Sequence, residues 1–197
     1  MKVLVACEYS GRVRDAFAKL GHDAWSCDIL DSESPGKHIK DDVLKHLDKK
    51  WDLIVAHPPC TYLSNSGVMW LHRQEGRWEK MKAAARFFKR FLEVDCPRVA
   101  IENPIMHKYG KELIGKKQDQ VIQPYMFGHK EQKATCLWLK GLQPLAETDN
   151  VKQEMMKLSN KERQRLHYLP PSKDRAKLRS MTFQGIADAM ASQWGKE

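Results

Sequence analysis

Trp51-Asp52-Leu53-Ile54-Val55-Ala56 runs without a break into His57-Pro58-Pro59-Cys60. The apolar run reads as a strand buried on both faces, as the central positions of a parallel sheet require. Proline cannot donate to a sheet ladder, and it restrains the residue before it, so two prolines at a strand end give a stiff, extended loop. That loop presents Cys60 on rigid backbone.

The same alternation recurs toward the N-terminus. Lys2 to Cys7 reads as a strand, about Gly11 to Leu20 as a helix ended by Gly21, Ala24 to Ile29 as a second strand, and Asp41 to Lys49 as a short helix. Strands that alternate with helical crossovers imply parallel pairing. Toward the C-terminus, Glu79 to Glu93 puts Met81, Ala84, Ala85, Phe88, Phe91 and Leu92 on one helical face and Lys and Arg on the other. Arg98 to Glu102, between Pro97 and Pro104, is the next strand, and Lys133 to Leu139 is a late strand of the same sheet. The predicted architecture is an α/β sandwich, with a mostly parallel central sheet and helices on both faces, in one domain. Residues 1–140 form its core, 141–180 a variable basic region with a Pro170-Pro171 break and a basic run from Lys173 to Arg179, and 181–197 a C-terminal helix that returns to the core through Ile186, Ala189, Met190 and Trp194.

Composition narrows the function. The 197 residues carry 34 Lys and Arg against 25 Asp and Glu, a net charge of +9 that favours polyanionic partners. No stretch approaches the roughly 18 apolar residues of a membrane span, and Val3 to Cys7 is too short for a signal peptide, so a soluble cytoplasmic protein is expected. The 5 cysteines lack any CxxC pair, which disfavours both a disulfide framework and a zinc site; no metal is predicted. Pro59-Cys60-Thr61-Tyr62-Leu63 also lacks the second cysteine of a zinc nucleobase deaminase.

In open parallel sheets the ligand lies beyond the carboxyl ends of the strands. Here those ends offer Glu8, Tyr9, Ser10 and Gly11, then Asp28, then Asp41 and Asp42. An acid at the tip of the second strand suits the vicinal hydroxyls of a ribose. Cys60 is a plausible nucleophile where positive charge favours its thiolate, and His57 is the nearest source of that charge. The next strand brings Glu102-Asn103-Pro104 to the same edge, where a partly desolvated carboxyl is expected to sit protonated or to share a proton with a ring nitrogen. A cysteine and an acid so placed can activate a pyrimidine: sulfur adds to carbon 6, and carbon 5 becomes nucleophilic.

On Pro58-Pro59-Cys60 and Glu102-Asn103, the chain resembles the cytosine-5 DNA methyltransferases, whose proline-proline-cysteine and glutamate-asparagine motifs fall in this order and at similar spacing over roughly residues 1–140. The resemblance implies a Rossmann-like class I methyltransferase sandwich and S-adenosyl-L-methionine as cofactor. It implies catalysis by Cys60 and Glu102, with cofactor contacts at Cys7, Glu8, Tyr9, Ser10, Gly11, Asp28, Ile29, Asp42, His57, Pro58 and Gly185. Substrate contacts fall at Pro59, Asn103, Gln132, Lys133 and Thr135. Thr182-Phe183-Gln184-Gly185-Ile186-Ala187 is similar to the family's last motif, and a C-terminal helix docking by its apolar face explains the same residues.

The chain departs from the family in a glycine loop reduced to Gly11, in Lys133 standing where an arginine is usual, and in the lack of a long target-recognition domain, as in short members carried by bacteriophages. The expected acceptor is a cytosine in DNA or in a nucleotide, with RNA open. Two other readings remain at this stage. One is methyl transfer to an exocyclic amine; the other is a catalytically silent fold serving as a basic nucleic-acid-binding module.

Overall fold

The computed structural model describes residues 1–196; Glu197, the last residue of the expected returning segment, lies outside them. Seven strands form one sheet: β1 Lys2–Ala6, β2 Asp23–Asp28, β3 His38–Lys40, β4 Leu53–Ala56, β5 Val99–Pro104, β6 Gln120–Ile122 and β7 Thr135–Lys140. Their spatial order is β3-β2-β1-β4-β5-β7-β6, and only β7 runs against the rest. The helices are α1 Arg12–Lys19, α2 Arg77–Glu93, α3 Lys108–Ile114, α4 Lys152–Met156, α5 Asn160–Arg163, α6 Arg175–Ser180 and α7 Gln184–Trp194. This is the α/β sandwich, with a mostly parallel central sheet and helices on both faces, that the strand pattern predicts.

Alternation along each strand builds two cores. Leu4 and Ala6 of β1, with Ile54 and Ala56 of β4, pack toward Met81, Ala85, Phe88 and Phe91 of α2. Val3, Val5, Leu53 and Val55 face the other way, onto Val13 and Phe17 of α1 and Ile186, Met190 and Trp194 of α7. Strands covered on both faces are buried at every position, hence the unbroken apolar runs in the sequence.

One expectation needs correcting, and one strand has a direction that the sequence did not give. Asp41 to Lys49 is not a helix but one turn of 3-10 structure, Val43–Lys45, which follows the edge strand β3. Asp42 caps that turn through Leu44 N–H, and Lys50, at φ 51°, redirects the chain before Trp51. The late strand, β7, lies antiparallel between β5 and β6. Its direction matters to the site, because residues before an antiparallel strand, not after it, emerge at the carboxyl edge of the parallel ones. Lys133 therefore arrives beside Glu102.

Candidate active site

The sheet order reverses between β1 and β4: the chain leaves β1 toward β2 and leaves β4 toward β5. A crevice opens where crossovers diverge in this way. On its β4 side stands the proline loop. Pro58 is buried, Pro59 exposed and Cys60 half-buried. The loop is held by Asn103, 1% exposed, whose amide donates to the Pro58 carbonyl at 2.8 Å. Asn103 thus holds the loop's backbone through its amide nitrogen, while its Oδ1 is buried without a hydrogen-bond partner among the described residues.

Glu102, one residue earlier on β5, faces the crevice and meets His57. Nδ1 of His57 lies 2.9 Å from Glu102 Oε2, with the two side chains 11% and 13% exposed. Burial pushes the Glu102 carboxyl up, but the hydrogen bond and charge of His57, with Lys133 beyond, outweigh it and hold the carboxyl below its ordinary range. Burial likewise opposes a charged His57, yet Glu102 and Glu8 outweigh it and raise the imidazole. Both directions favour the proton on His57, hydrogen-bonded to the Glu102 carboxylate, from which it can be shared onward with a ring nitrogen. Among the described residues, His57 Nε2 is buried without a hydrogen-bond partner.

Because His57 is engaged by Glu102, it is not the charge that serves Cys60. The Cys60 thiol is pushed up by burial and by Glu102, and is drawn down by Lys133 and Arg179. The resting sulfur carries its proton. Arg179 ends the basic run from Lys173, in the stretch that the sequence marks as mobile or substrate-facing; the sequence does not pair it with Cys60.

On the β1 side, the residues divide into two groups. Cys7 has φ 59° and donates its N–H to the Cys27 carbonyl at 2.8 Å, which brings the tips of β1 and β2 together. Burial raises the Cys7 thiol, and the Asp28 and Asp42 carboxylates raise it further, so both acids face this spot. Cys27 is pushed up to about 11, by burial first and then by Asp28 and Asp41. Beside Asp28, Ile29 and Leu30 are 73% and 52% exposed. Carboxylate acceptors next to an uncovered apolar shelf suit the hydroxyls and base of a nucleoside. The residues present therefore fit the adenosine half of the implied cofactor.

Glu8, Ser10 and Gly11 belong to the second group. Glu8, 5% exposed, accepts from the N–H groups of Val13 at 2.8 Å and Arg14 at 3.2 Å and from the Ser10 hydroxyl at 3.2 Å. Its carboxylate starts α1, satisfying donors that the helix leaves free. Gly11 has φ 75°, and a Cβ there would lie 2.2 Å from Ser34 Oγ. The loop between β2 and β3 occupies that space because Arg14, buried in the α1 face, gathers Ser26, Ser32, Ser34 and Pro35 around its guanidinium. Sequence reasoning missed Arg14; its signal was an arginine among apolar helix positions followed by a serine-rich loop.

The remaining residues lie along the β7 approach. Gln132 donates its N–H to the Arg163 carbonyl at 2.6 Å, and Thr135, buried, donates its hydroxyl to the Lys133 carbonyl at 3.2 Å. Lys133 Nζ lies 3.4 Å from the Met181 carbonyl and 5.8 Å from the Phe183 ring centre. Gly185 donates its N–H to His129 Nε2 at 3.0 Å, and a Cβ on it would stand 2.0 Å from the Phe127 carbonyl oxygen. Close packing by itself requires a glycine there. Among the described residues, no group of three or more His, Cys, Asp or Glu is placed to hold a metal, and no helix is long and apolar enough to cross a membrane.

No family model matches the chain, and no curated protein matches it. It is similar in shape to solved structures. One is a candidate DNA modification methyltransferase encoded within an Escherichia coli prophage, with 16% identity, TM-score 0.44, and coverage of 70% of this chain and 45% of that one. Another is the Entamoeba histolytica methyltransferase EhMeth, with 14% identity, TM-score 0.45 and coverage of 76% and 56%. A third is an Escherichia coli rRNA methylase, with 15% identity, TM-score 0.36 and coverage of 70% and 55%. The chain thus spans about half the length of these proteins, and at these values the likeness assigns neither a substrate nor a residue's role.

Proposed function

We propose that this chain is an S-adenosyl-L-methionine-dependent methyltransferase acting at carbon 5 of a cytosine, in DNA or in a cytosine nucleotide. The observation that carries the reading is the grouping at one crevice of Cys60 on its stiff loop, the His57–Glu102 ion pair, and Lys133. Asp28, Asp42 and Ile29 would hold the nucleoside end of the cofactor, which would supply an electrophilic methyl group.

The chain's own residues do the rest. Cys60 loses its proton, and its sulfur bonds to carbon 6 as the ring's carbon 5–carbon 6 π pair is displaced toward N3. Glu102 binds at N3 and the exocyclic amine, passing to N3 the proton that His57 holds across the 2.9 Å hydrogen bond. The ring is then an enamine, nucleophilic at carbon 5. After methylation, carbon 5 gives up its proton to solvent and that electron pair re-forms the carbon 5–carbon 6 π bond; sulfur leaves carbon 6 as the thiolate, and N3 returns its proton through Glu102 to His57. Asn103, by fixing Pro58, keeps the sulfur at its attack position. An acceptor base within a duplex must be flipped out, at about a few kcal/mol, and the net +9 charge favours the phosphate contacts that offset this.

The test joins thermal shift with S-adenosylmethionine and S-adenosylhomocysteine to labelled methyl transfer onto single-stranded DNA, duplex DNA, RNA and dCMP. Stabilisation together with label on a cytosine acceptor supports the reading. The same acceptors bearing 5-fluorocytosine should remain covalently attached to the wild type, because fluorine cannot leave carbon 5 as a cation, and should not attach to Cys60→Ser. Activity retained by Cys60→Ser would move the assignment to an exocyclic amine. Absence of stabilisation by either cofactor form would leave a binding module.

A further inference from the structure

Helix α6 belongs to the segment that the sequence marks as variable and basic, yet it is tied to the crevice from three sides. Lys177 pairs with Glu33, in the loop between β2 and β3. The Ser180 hydroxyl is 3.5 Å from Tyr9 Oη, in the loop after β1. Just past the helix, the Met181 carbonyl accepts from Lys133 at 3.4 Å and the Thr182 carbonyl from Arg12 at 3.0 Å. Residues 177–182 therefore bridge the loops that bound the site. Arg179 lies in the middle of this span. It is partly buried, and among the described residues its side chain makes no hydrogen bond or ion pair.

We infer that α6 is a strap across the mouth of the site, and that Arg179, which it carries, joins Lys133 as counter-ion to the Cys60 sulfur when that sulfur is ionised. The inference rests on the reading of Cys60 as the nucleophile. A buried thiol beside a carboxylate is a weak nucleophile near neutral pH, so a cysteine used as one needs offsetting charge. The charged groups that face it are Glu102 from β5, Lys133 from the approach to β7 and Arg179 from α6, with His57 behind Glu102. His57 is paired with Glu102, and Lys133 shares its charge with a carbonyl and the Phe183 ring. Arg179 has neither commitment, and a guanidinium keeps its charge at any working pH. Its backbone neighbours on both sides, Lys177, Ser180 and Met181, are fixed to the loops around the crevice, which keeps its charge at the mouth. Arg179 is on this account a positioning residue that works through Cys60.

The experiment measures the alkylation rate of Cys60 by iodoacetamide against pH, in the full chain without cofactor or acceptor, with the modified cysteine mapped by peptide mass. The midpoint of the profile reports charge around the sulfur, while the plateau at high pH reports access to it. In Arg179→Gln the midpoint should move to higher pH, and the rate near neutral pH should fall roughly tenfold. Arg179→Lys should restore most of the loss, and Lys133→Gln should add to it. An unchanged midpoint in Arg179→Gln, with the variant's thermal melt equal to wild type, overturns the inference. So does an equal shift in the Gln and Lys variants, which would mark shape rather than charge. Since no methyl transfer is involved, a shifted midpoint in a protein that methylates nothing would uphold the counter-ion and overturn the cytosine reading alone.

Discussion

The Asn103 side-chain amide donates to the Pro58 carbonyl at 2.8 Å, so the strand that presents Glu102 also grips the loop that presents Cys60. The two chemical groups are thereby held in one frame by a residue that stands between them in neither sequence nor chemistry. Replacing Asn103 with Ala removes a buried donor and leaves the Pro58 oxygen without it, a loss of about 1–3 kcal/mol in chemical denaturation. Asn103→Asp should cost more, because it puts a carboxylate against a carbonyl. If the proposed chemistry holds, kcat falls in the Ala variant while cofactor affinity does not, since Asp28 and Asp42 lie on the other side of the crevice. Wild-type stability in Asn103→Ala would show that the proline loop holds itself.

The His57–Glu102 pair predicts a pH signature. Glu102 is held below its ordinary value of 4.5, so its stabilisation is present above 4.5 and is lost as pH falls through the lower folded value. His57 is raised above its ordinary 6.5, so its stabilisation is fully present below 6.5 and is lost as pH rises through the higher folded value. Both contributions coexist between 4.5 and 6.5. The stability difference between wild type and Glu102→Gln should therefore peak in that window, at roughly 3 kcal/mol, and shrink on either side. A difference that stays flat from acid to alkaline pH would mean that the two groups are not an ion pair.

What the sequence disclosed and what it hid follow physical lines. Trp51 to Ala56 and Lys2 to Cys7 were legible as strands because burial on both faces demands continuous apolar runs, and the two prolines marked the loop. β3 and β6, three residues each at the sheet margin, carry too little side-chain pattern to stand out. The direction of β7 is invisible to periodicity, since an apolar run reads alike in either sense. In the site, Cys60 and Glu102 could be named because Cys60 follows one strand and Glu102 directly succeeds the apolar run of the next. The partnership of His57 with Glu102 could not, because it joins two strand ends 45 residues apart. The basic run ending at Arg179 was legible as a mobile or substrate-facing stretch, but a charged residue within such a run carries no local mark of the side chain it faces.

Gly185 separates packing from cofactor binding. In Gly185→Ala the new methyl would meet the Phe127 carbonyl oxygen at 2.0 Å, backbone against backbone, so α7 must move away from the core that it shares with α1. A loss of about 2–3 kcal/mol in thermal or urea unfolding is expected. The hydrogen bond to His129 Nε2 should weaken with it; burial holds that imidazole below its ordinary value, in the neutral form that accepts. Cofactor affinity, measured below the melting transition, should be unchanged. Intact stability with lost affinity would return the glycine to the cofactor pocket.

Arg14 is the least expected support of the site. It is 1% exposed, and its guanidinium donates to the hydroxyls of Ser26 at 3.1 Å and Ser32 at 3.0 Å, to the carbonyls of Ser34 at 3.2 Å and Pro35 at 3.0 Å, and to Asp15 at 2.8 Å. That fork fastens the loop carrying Glu33, and Glu33 is the partner of Lys177 on the strap. Arg14→Leu should cost about 3 kcal/mol or more, because it strips several buried acceptors of their donor. Arg14→Lys keeps the charge without the fork and should fall between Leu and wild type. The loop's release should also be felt at the mouth of the site: with one anchor of α6 loosened, Cys60 alkylation at high pH should quicken in Arg14→Lys even under conditions where the protein remains folded. If that rate stays at the wild-type value while stability falls, Arg14 serves the core of α1 alone, and the strap is anchored by Tyr9, Arg12 and Lys133 without it.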